Sequence, residues 1–229
     1  MLCSAGLDSA VLLAHQAHAL DGAATVLPVY VRVGLAWEDA ERATLDGLLG
    51  SAIFARDGAS LIEPPLVLDL DMRDVYPPTH WAIRGAAPAY DTPDEDVYIV
   101  GRNVVLLTKA AIACAYRGVG RIAIGPLAGN PFPDATPEFF SAMGRALSLG
   151  LAHGIDVEAP FATWEKAAVI ARGLELGVPL ERTLSCMSPL AIDGQWRHCG
   201  LCSKCRERRD AFAEAGVEDP TSYAAASPR

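Results

Sequence analysis

The sequence has no surplus of positive charge. Over 229 residues, 19 lysines and arginines face 28 aspartates and glutamates, leaving a formal net charge of -9 and a pI near 5.0. That balance argues against a broad electrostatic footprint on nucleic acid and makes small-molecule chemistry the better starting point. A basic start followed by an apolar core and a cleavage site is missing too, so the expected location is the cytoplasm. No uninterrupted apolar run suggests a membrane span: the best candidate, Val97 to Tyr116, carries Arg102, Asn103 and Lys109, which suit a buried globular helix. Internal repeats are absent, and the one low-complexity stretch is the Ala-Ser-Pro tail at 224–228.

What is present is apolar bulk. Hydrophobic residues make up 51% of the chain, enough at this length to bury a sizeable core. Helix-like and strand-like stretches alternate. A helix runs from the opening turn to about Leu20, with Asp8 or Ser9 as its cap, and a β-rich run covers Thr25 to Val33. A helix from Glu38 to about Phe54 and a short strand from Pro65 to Leu70 follow. Val104 to Tyr116 reads as a helix, Arg121 to Gly125 as a strand, and Pro137 to Leu151 as a helix opened by Thr136-Pro137-Glu138. Ile155 to Val157 is a last strand and Glu165 to Leu176 a helix. This alternation predicts an α/β fold, a parallel sheet with helices on both faces. Prolines at 77, 78, 88 and 93 with Gly85 predict a long ordered loop over Tyr76 to Asp96, and loops of that length in compact enzymes tend to be functional.

In an open parallel sheet, ligands sit beyond the carboxyl ends of the strands. Ser4-Ala5-Gly6-Leu7-Asp8-Ser9 occupies such a position. Its small residues let backbone N–H groups approach an anion, and the following helix N-terminus adds its positive dipole end. No lysine follows the glycine, so this is not the Walker pattern. The stretch resembles the Ser-Gly-Gly-x-Asp-Ser loop of the ATP pyrophosphatases, matching at Ser4, Gly6, Asp8 and Ser9, with Ala5 in place of the first glycine. By itself it reads equally well as a helix start with no ligand. Only Met1, Leu2 and Cys3 precede the turn, where about five or six residues are typical of a strand, so a segment upstream of Met1 is expected.

Of six cysteines, four fall within twenty residues: Cys186, Cys199, Cys202 and Cys205. In a reducing compartment such clustering indicates metal ligation before disulfides. Two-residue gaps, with Gly200 allowing a tight knuckle, can wrap a tetrahedral ion. Four thiolates leave no position for an activated water, so a structural zinc is expected. An iron–sulfur cluster is the competing chemistry. Zinc is favoured because Lys204, Arg206, Arg208 and Arg209 lead straight into a helix that the metal would pin. His198 reads as a surface residue, and Cys3 and Cys114 as small buried hydrophobes.

The turn at one end and the run from His198 to Tyr223 at the other form an unusual combination. Val100-Gly101-Arg102-Asn103, Pro133-Asp134, Pro137-Glu138-Phe139, Lys166 and Ser185-Cys186 lie between them. On these residues the chain resembles the 7-cyano-7-deazaguanine synthase family over essentially its full length. The resemblance implies a Rossmann-like, adenine nucleotide alpha hydrolase-like domain at 1–182, a zinc-binding C-terminal segment at 183–229 packed on it, and a homodimer. It implies an ATP-dependent ligase that uses Mg²⁺, ATP and ammonia to turn 7-carboxy-7-deazaguanine into the nitrile, on the route to queuosine.

In that scheme the backbone of Ser4, Ala5, Gly6, Leu7, Asp8 and Ser9 and the two serine hydroxyls hold phosphates. Asp8 holds the loop or positions Mg²⁺, Lys166 offsets charge on the leaving pyrophosphate, and Arg102 and Asn103 contact nucleotide or substrate. Each has a plainer alternative: Asp8 as a helix cap, Lys166 as a solvated helix residue, Arg102 in a surface ion pair. The family's Ser-Gly-Tyr-Pro-Asp-Cys stretch reads Gly129-Asn130-Pro131-Phe132-Pro133-Asp134-Ala135 here, which keeps Asp134 beside the expected acceptor. Trp81 and Tyr90 could stack a purine-like ring or pack under their loop. The departure leaves room for a paralogue that adenylates another acceptor or stops at the amide. The basic stretch from Lys204 to Arg209 leaves room for a zinc-containing regulator or nucleic-acid-binding module.

Overall fold

The computed structural model describes residues 1–226. After the opening turn come α1 (Leu7–Ala19), β1 (Val29–Arg32), α2 (Glu38–Leu49), a small hairpin of β2 (Ala55–Arg56) and β3 (Ala59–Ser60), and β4 (Leu66–Asp69). These are followed by α3 (Trp81–Arg84), α4 (Arg102–Tyr116), β5 (Arg121–Ala123), α5 (Pro137–Leu151), β6 (Asp156–Glu158) and α6 (Lys166–Glu175). A second hairpin, β7 (Leu190–Ile192) and β8 (Gln195–Arg197), precedes α7 (Ser203–Glu214). No helix among the described residues is long and apolar enough to cross a membrane.

Residues 1–3 join two pairs of parallel strands into one sheet. β1 pairs with β4 and β5 with β6, both in parallel. Between them, Cys3 N–H donates to Val29 O, Val29 N–H to Met1 O and Leu2 N–H to Ala123 O, all at 2.8 to 2.9 Å. The spatial order is therefore β4, β1, residues 1–3, β5, β6, which in chain sequence reads 3-2-1-4-5, the order of a doubly wound sheet. Its side chains alternate between two cores. Leu2, Val29, Val31 and Ile122 pack with Leu107, Ala111 and Phe140 of α4 and α5. Met1, Cys3, Tyr30 and Ala123 pack with Leu12, Leu45 and Ile170 of α1, α2 and α6. Helices thus cover both faces, as parallel strands buried on both sides require.

Several boundaries differ from the sequence expectation. α1 is capped at Gly6 without a side-chain bond, so Asp8 and Ser9 lie inside the first turn and do not cap it. The Tyr76 to Asp96 stretch holds one α-helical turn, α3, whose Ala82 N–H donates to His80 Nδ1 and whose end is closed by Gly85 at φ +72°, and it runs into a 3₁₀ turn over Asp94–Val97. A single side-chain cap and a left-handed glycine suffice for one turn among prolines. The helix expected to reach Phe54 stops at Leu49 and resumes as a 3₁₀ turn over Ala52–Phe54. The β7–β8 hairpin was not expected; its signal was Asp193-Gly194, both at positive φ, the residue pair that a two-residue hairpin turn favours.

α7 is locked to the body by a buried cation. Arg208 is fully buried. It donates to Thr183 Oγ1 and Leu180 O at 2.8 Å and to Ser185 Oγ at 3.1 Å, with Asp219 3.8 Å away. Next to it, Phe212 joins the core under α1 and α6. Replacing Arg208 with alanine strands a set of buried acceptors, so Arg208→Ala is expected to cost on the order of 3 kcal/mol, read as a lowered urea midpoint at unchanged slope.

Candidate functional site

The 4–9 turn leaves the carboxyl end of the central strand and feeds α1. Ala5, where the resembling loop has glycine, is fully buried at φ +60°, a conformation that costs a residue with a Cβ about 1 kcal/mol. It is held there because its carbonyl accepts from Leu184 N–H at 2.9 Å. Ser9 Oγ donates to Gly6 O at 3.0 Å and accepts from Ser4 N–H at 3.3 Å, and Gly6 N–H donates to Ser4 Oγ at 3.4 Å. These bonds brace the turn, leaving the first N–H groups of α1 without intrahelical partners. A helix start of this kind attracts anions.

Two cavities open on either side of Asp8. The first, of about 270 Å³, is lined by Ser4, Gly6, Asp8 and Ser9 from the turn and by Tyr30, Glu41, Arg102, Asn103 and Asp134 opposite. The second, of about 370 Å³, shares Asp8, Gly125, Pro126, Asn130 and Phe132 with the first and adds Lys166, Lys204, Arg206 and Glu207. Asp8 Oδ2 accepts from Lys166 Nζ at 3.3 Å, while its Oδ1 is buried without a hydrogen-bond partner. Lys166 also bonds Glu207. Burial opposes its charge, but Asp8 and Glu207 outweigh burial and raise its pKa, so it stays a cation. Glu207, despite burial, is held down to about 2 by Lys166 and Lys204.

In the first cavity Arg102 starts α4 after Gly101 at φ +75°, and its buried Nε has no partner. Asn103 is already engaged: its backbone N–H donates to Asp134 Oδ2 at 3.0 Å and its side-chain amide to Asp134 O at 2.9 Å. Burial raises the Asp134 pKa in spite of these donors. Asn103 and Asp134 thus form a mutual brace on the cavity wall.

Two residues there escaped the sequence reading. Tyr30 OH donates to Glu41 Oε2 at 2.9 Å, and burial pushes the Glu41 carboxyl up to about 7 against the pull of Arg102 and Tyr30. The signal was available: Glu41 falls four and seven residues before Leu45 and Leu48, on the inward face of α2. Glu38, by contrast, is spent on backbone, accepting from Val33 N–H at 2.6 Å and Gly34 N–H at 3.1 Å.

Trp81 and Tyr90 do not line either cavity. Trp81 stacks on Trp37 with centroids 5.7 Å apart, and Tyr90 lies under the Arg209 guanidinium, so packing under the loop is their observed role. The aromatic pair at the first cavity is Tyr98 stacked on Phe132, 5.2 Å apart.

The four clustered cysteines converge. Their sulfurs all lie within 4.8 Å of one another, with Cys186–Cys202 and Cys199–Cys205 at 3.9 Å and Cys202–Cys205 at 3.5 Å. Tetrahedral ligation at about 2.3 Å per bond separates sulfurs by roughly 3.8 Å, so the donor set fits one such ion. Backbone N–H groups of Ser188, Cys199 and Leu201 point at these sulfurs at 3.2 to 3.3 Å, which suits thiolates. The knuckle is strapped by the tail. Gly200 sits at φ +82°, where a Cβ would collide with Ala225 O. Arg209 bonds Gly200 O and Ala225 O and lies 3.9 Å over the Tyr223 ring.

His198 is buried and not on the surface. Burial and Arg208 hold its pKa down at about 3, and its Nε2 accepts from Ser185 N–H at 3.0 Å. The basic stretch is largely engaged within the molecule: Arg208 is buried, and the partly exposed Arg209, Arg206 and Lys204 bind Gly200 O, Thr92 O and Glu207. Charges spent on such partners weigh against the open basic face that nucleic acid requires.

Two outcomes follow from this geometry. The Glu41 carboxyl binds its proton more tightly folded, at about 7, than at its ordinary 4.5. Its contribution is therefore full at low pH and is lost as pH rises through that window, by up to on the order of 3 kcal/mol. Glu41→Gln is expected to remove that slope and to be the more stable protein at pH 8, measured by urea denaturation at pH 5 and pH 8. Cys202→Ser is expected to lose bound metal and lower the unfolding midpoint, checked by elemental analysis and a thermal scan.

The likeness to known proteins covers a little over half of the chain. The family model described as "Queuosine biosynthesis protein QueC" matches residues 84–216. The 7-cyano-7-deazaguanine synthase of Anaeromyxobacter dehalogenans is 37% identical over 134 residues, 56% of this chain and 56% of that protein. The one from Caldicellulosiruptor bescii is 36% identical over 135 residues, 58% and 59% of the two chains. That of Methanopyrus kandleri is 42% identical over 92 residues, 40% of each. The chain spans about half the length of the curated relatives it matches. With more than half of its residues covered by the family model, the chain belongs to the QueC family.

Proposed function

We propose that this chain binds ATP at the 4–9 turn and uses it, with ammonia, to convert 7-carboxy-7-deazaguanine into 7-cyano-7-deazaguanine. The observation that carries this reading is the meeting of Asp8, Lys166 and Arg102 around a helix start, each with an atom turned to one of two joined cavities. Family membership and the printed names of the relatives support the acceptor.

In this reading the turn and the start of α1 hold the phosphates, and Lys166, a permanent cation, offsets charge on the departing pyrophosphate. The acceptor carboxylate oxygen attacks the α phosphorus, the bridging P–O bond breaks, and pyrophosphate leaves with the bonding pair. Arg102, with its unpartnered Nε, faces the adenylate. Ammonia adds to the acyl carbon, a proton is lost, and AMP leaves an amide. A second adenylation, at the amide oxygen, with loss of AMP and both N–H protons, yields the nitrile. The flat acceptor ring lies against the Tyr98–Phe132 pair. Asp8 Oδ1, buried and unpartnered, is the atom that would meet Mg²⁺, an ion that prefers carboxylate and phosphate oxygens. The four-cysteine centre would hold zinc in a structural role, since all its donors are protein thiolates.

A second reading keeps the activation step but changes the acceptor, or stops at the amide. It is favoured by Asn130 and Phe132, which line both cavities within the stretch that departs from the family pattern. Incubation with ATP, Mg²⁺, ammonia and 7-carboxy-7-deazaguanine is expected to release AMP and pyrophosphate with the nitrile product mass. Lys166→Met is expected to slow this by roughly a hundredfold. ADP and phosphate as products would overturn the adenylation, and AMP without nitrile would establish the second reading.

A further inference from the structure

The second cavity contains a cation that the reading above leaves unused. Lys166 stands at the start of α6 and Lys204 in the first turn of α7, and both ammonium groups reach the same carboxylate: Lys166 Nζ bonds Glu207 Oε1 and Lys204 Nζ bonds Glu207 Oε2. Lys166 also touches Asp8 at 3.3 Å, and Lys204 touches Asp94 at 3.4 Å. The side chains of Lys166, Lys204 and Glu207 are only 14%, 26% and 25% exposed, so the trio is partly withdrawn from water and its charges act strongly on one another. Two ammonium groups set on the two oxygens of one carboxylate are spaced to take two oxygens of a phosphoryl group, which offers the same bidentate pattern with more charge. The first turn of α6 lines the same space, and its dipole favours an anion there, while α7 presents its flank from Lys204 to Glu214.

We propose that Lys204 is a second cationic contact for the pyrophosphate group and that the Glu207 carboxylate occupies the phosphate's place when no polyphosphate is bound. This rests on the ATP reading above. The polyphosphate enters by displacing Glu207 from Lys166 and Lys204, so the carboxylate competes with the ligand for the same two donors. When pyrophosphate leaves, Glu207 returns to both lysines, which keep Asp8 and Asp94 as partners throughout. A purely structural bridge between α6 and α7 differs in sign: there, neutralising Glu207 would loosen the site and weaken the ligand.

The test is calorimetric titration of the protein carrying its C-terminal metal with inorganic pyrophosphate, ATP and AMP, each with Mg²⁺. Lys204→Gln is expected to weaken pyrophosphate and ATP by roughly tenfold, the worth of one charge-assisted contact, and to leave AMP unchanged. Glu207→Gln is expected to tighten pyrophosphate several-fold. Thermal midpoints within a degree or two of the parent's show that both variants fold. Unchanged pyrophosphate affinity in Lys204→Gln, an equal loss for AMP, or weakened pyrophosphate binding in Glu207→Gln each overturns the proposal. If the parent binds ATP tightly and Lys204→Gln matches it, the Lys204 assignment alone fails. A parent that binds neither ATP nor pyrophosphate removes the ATP reading and this inference together.

Discussion

Three backbone hydrogen bonds across residues 1–3 connect the β1–β4 pair to the β5–β6 pair. Everything at the site hangs from that seam. The turn that follows must emerge at the middle of the sheet, because only there do the carboxyl ends of β1 and β5 flank it and open a crevice beside the first helix. The same seam decides which side chains face which core. Leu2 goes to the α4–α5 side and Met1 and Cys3 to the α1–α6 side, so a slip of one residue would reverse all three. The left-handed Ala5 follows this short segment after Ser4, and its bond from Leu184 ties the turn to the stretch that leads to Cys186. The start of the chain and the metal knuckle are thus neighbours through one peptide group.

The electrostatics of the two cavities are organised by scarcity of positive charge. An acidic chain places Glu41 and Asp134 around Arg102, and Asp8 and Glu207 around Lys166. In the first cavity the balance is left open: Arg102 keeps an unpartnered Nε, and burial raises the Glu41 pKa well above its ordinary value. In the second it is closed, with each lysine matched to carboxylates. An anionic ligand entering between them would meet a guanidinium with an unpartnered Nε on one side and, on the other, ammonium groups that must first give up a partner.

Features carried by spacing along the chain were legible in the sequence. Thr136-Pro137 supplied both a cap and a compatible first residue, and α5 spans Pro137–Leu151 with Phe139 N–H bonded to Thr136 Oγ1. The two-residue gaps between cysteines translated into sulfurs close enough for one ion. What was missed depended on partners far away in sequence. His198 looked superficial because nothing local says that Ser185 N–H will meet its ring. Trp81 was left open between stacking a ligand and packing under its loop because its partner, Trp37, lies more than forty residues earlier. Glu41 went unnoticed because an acid on an apolar helix face is read as tolerated, whereas Tyr30 across the core makes it a buried, hydrogen-bonded group. Asp8 and Ser9 were credited with a cap because residue type suggested it, but the turn's own geometry put Gly6 at that position.

The tail that crosses the cysteine knuckle has a kinetic consequence. Ala224 N–H donates to His198 O, His198 N–H to Ser222 O, and Arg209 clamps Gly200 and Ala225 together. The four cysteines beside this strap are buried, so a chelator would have little direct access to an ion held there. Exchange of such an ion would then wait on local opening of the strap, and its rate would measure how often the strap lifts, a clock separate from the thermodynamic affinity of the thiolates.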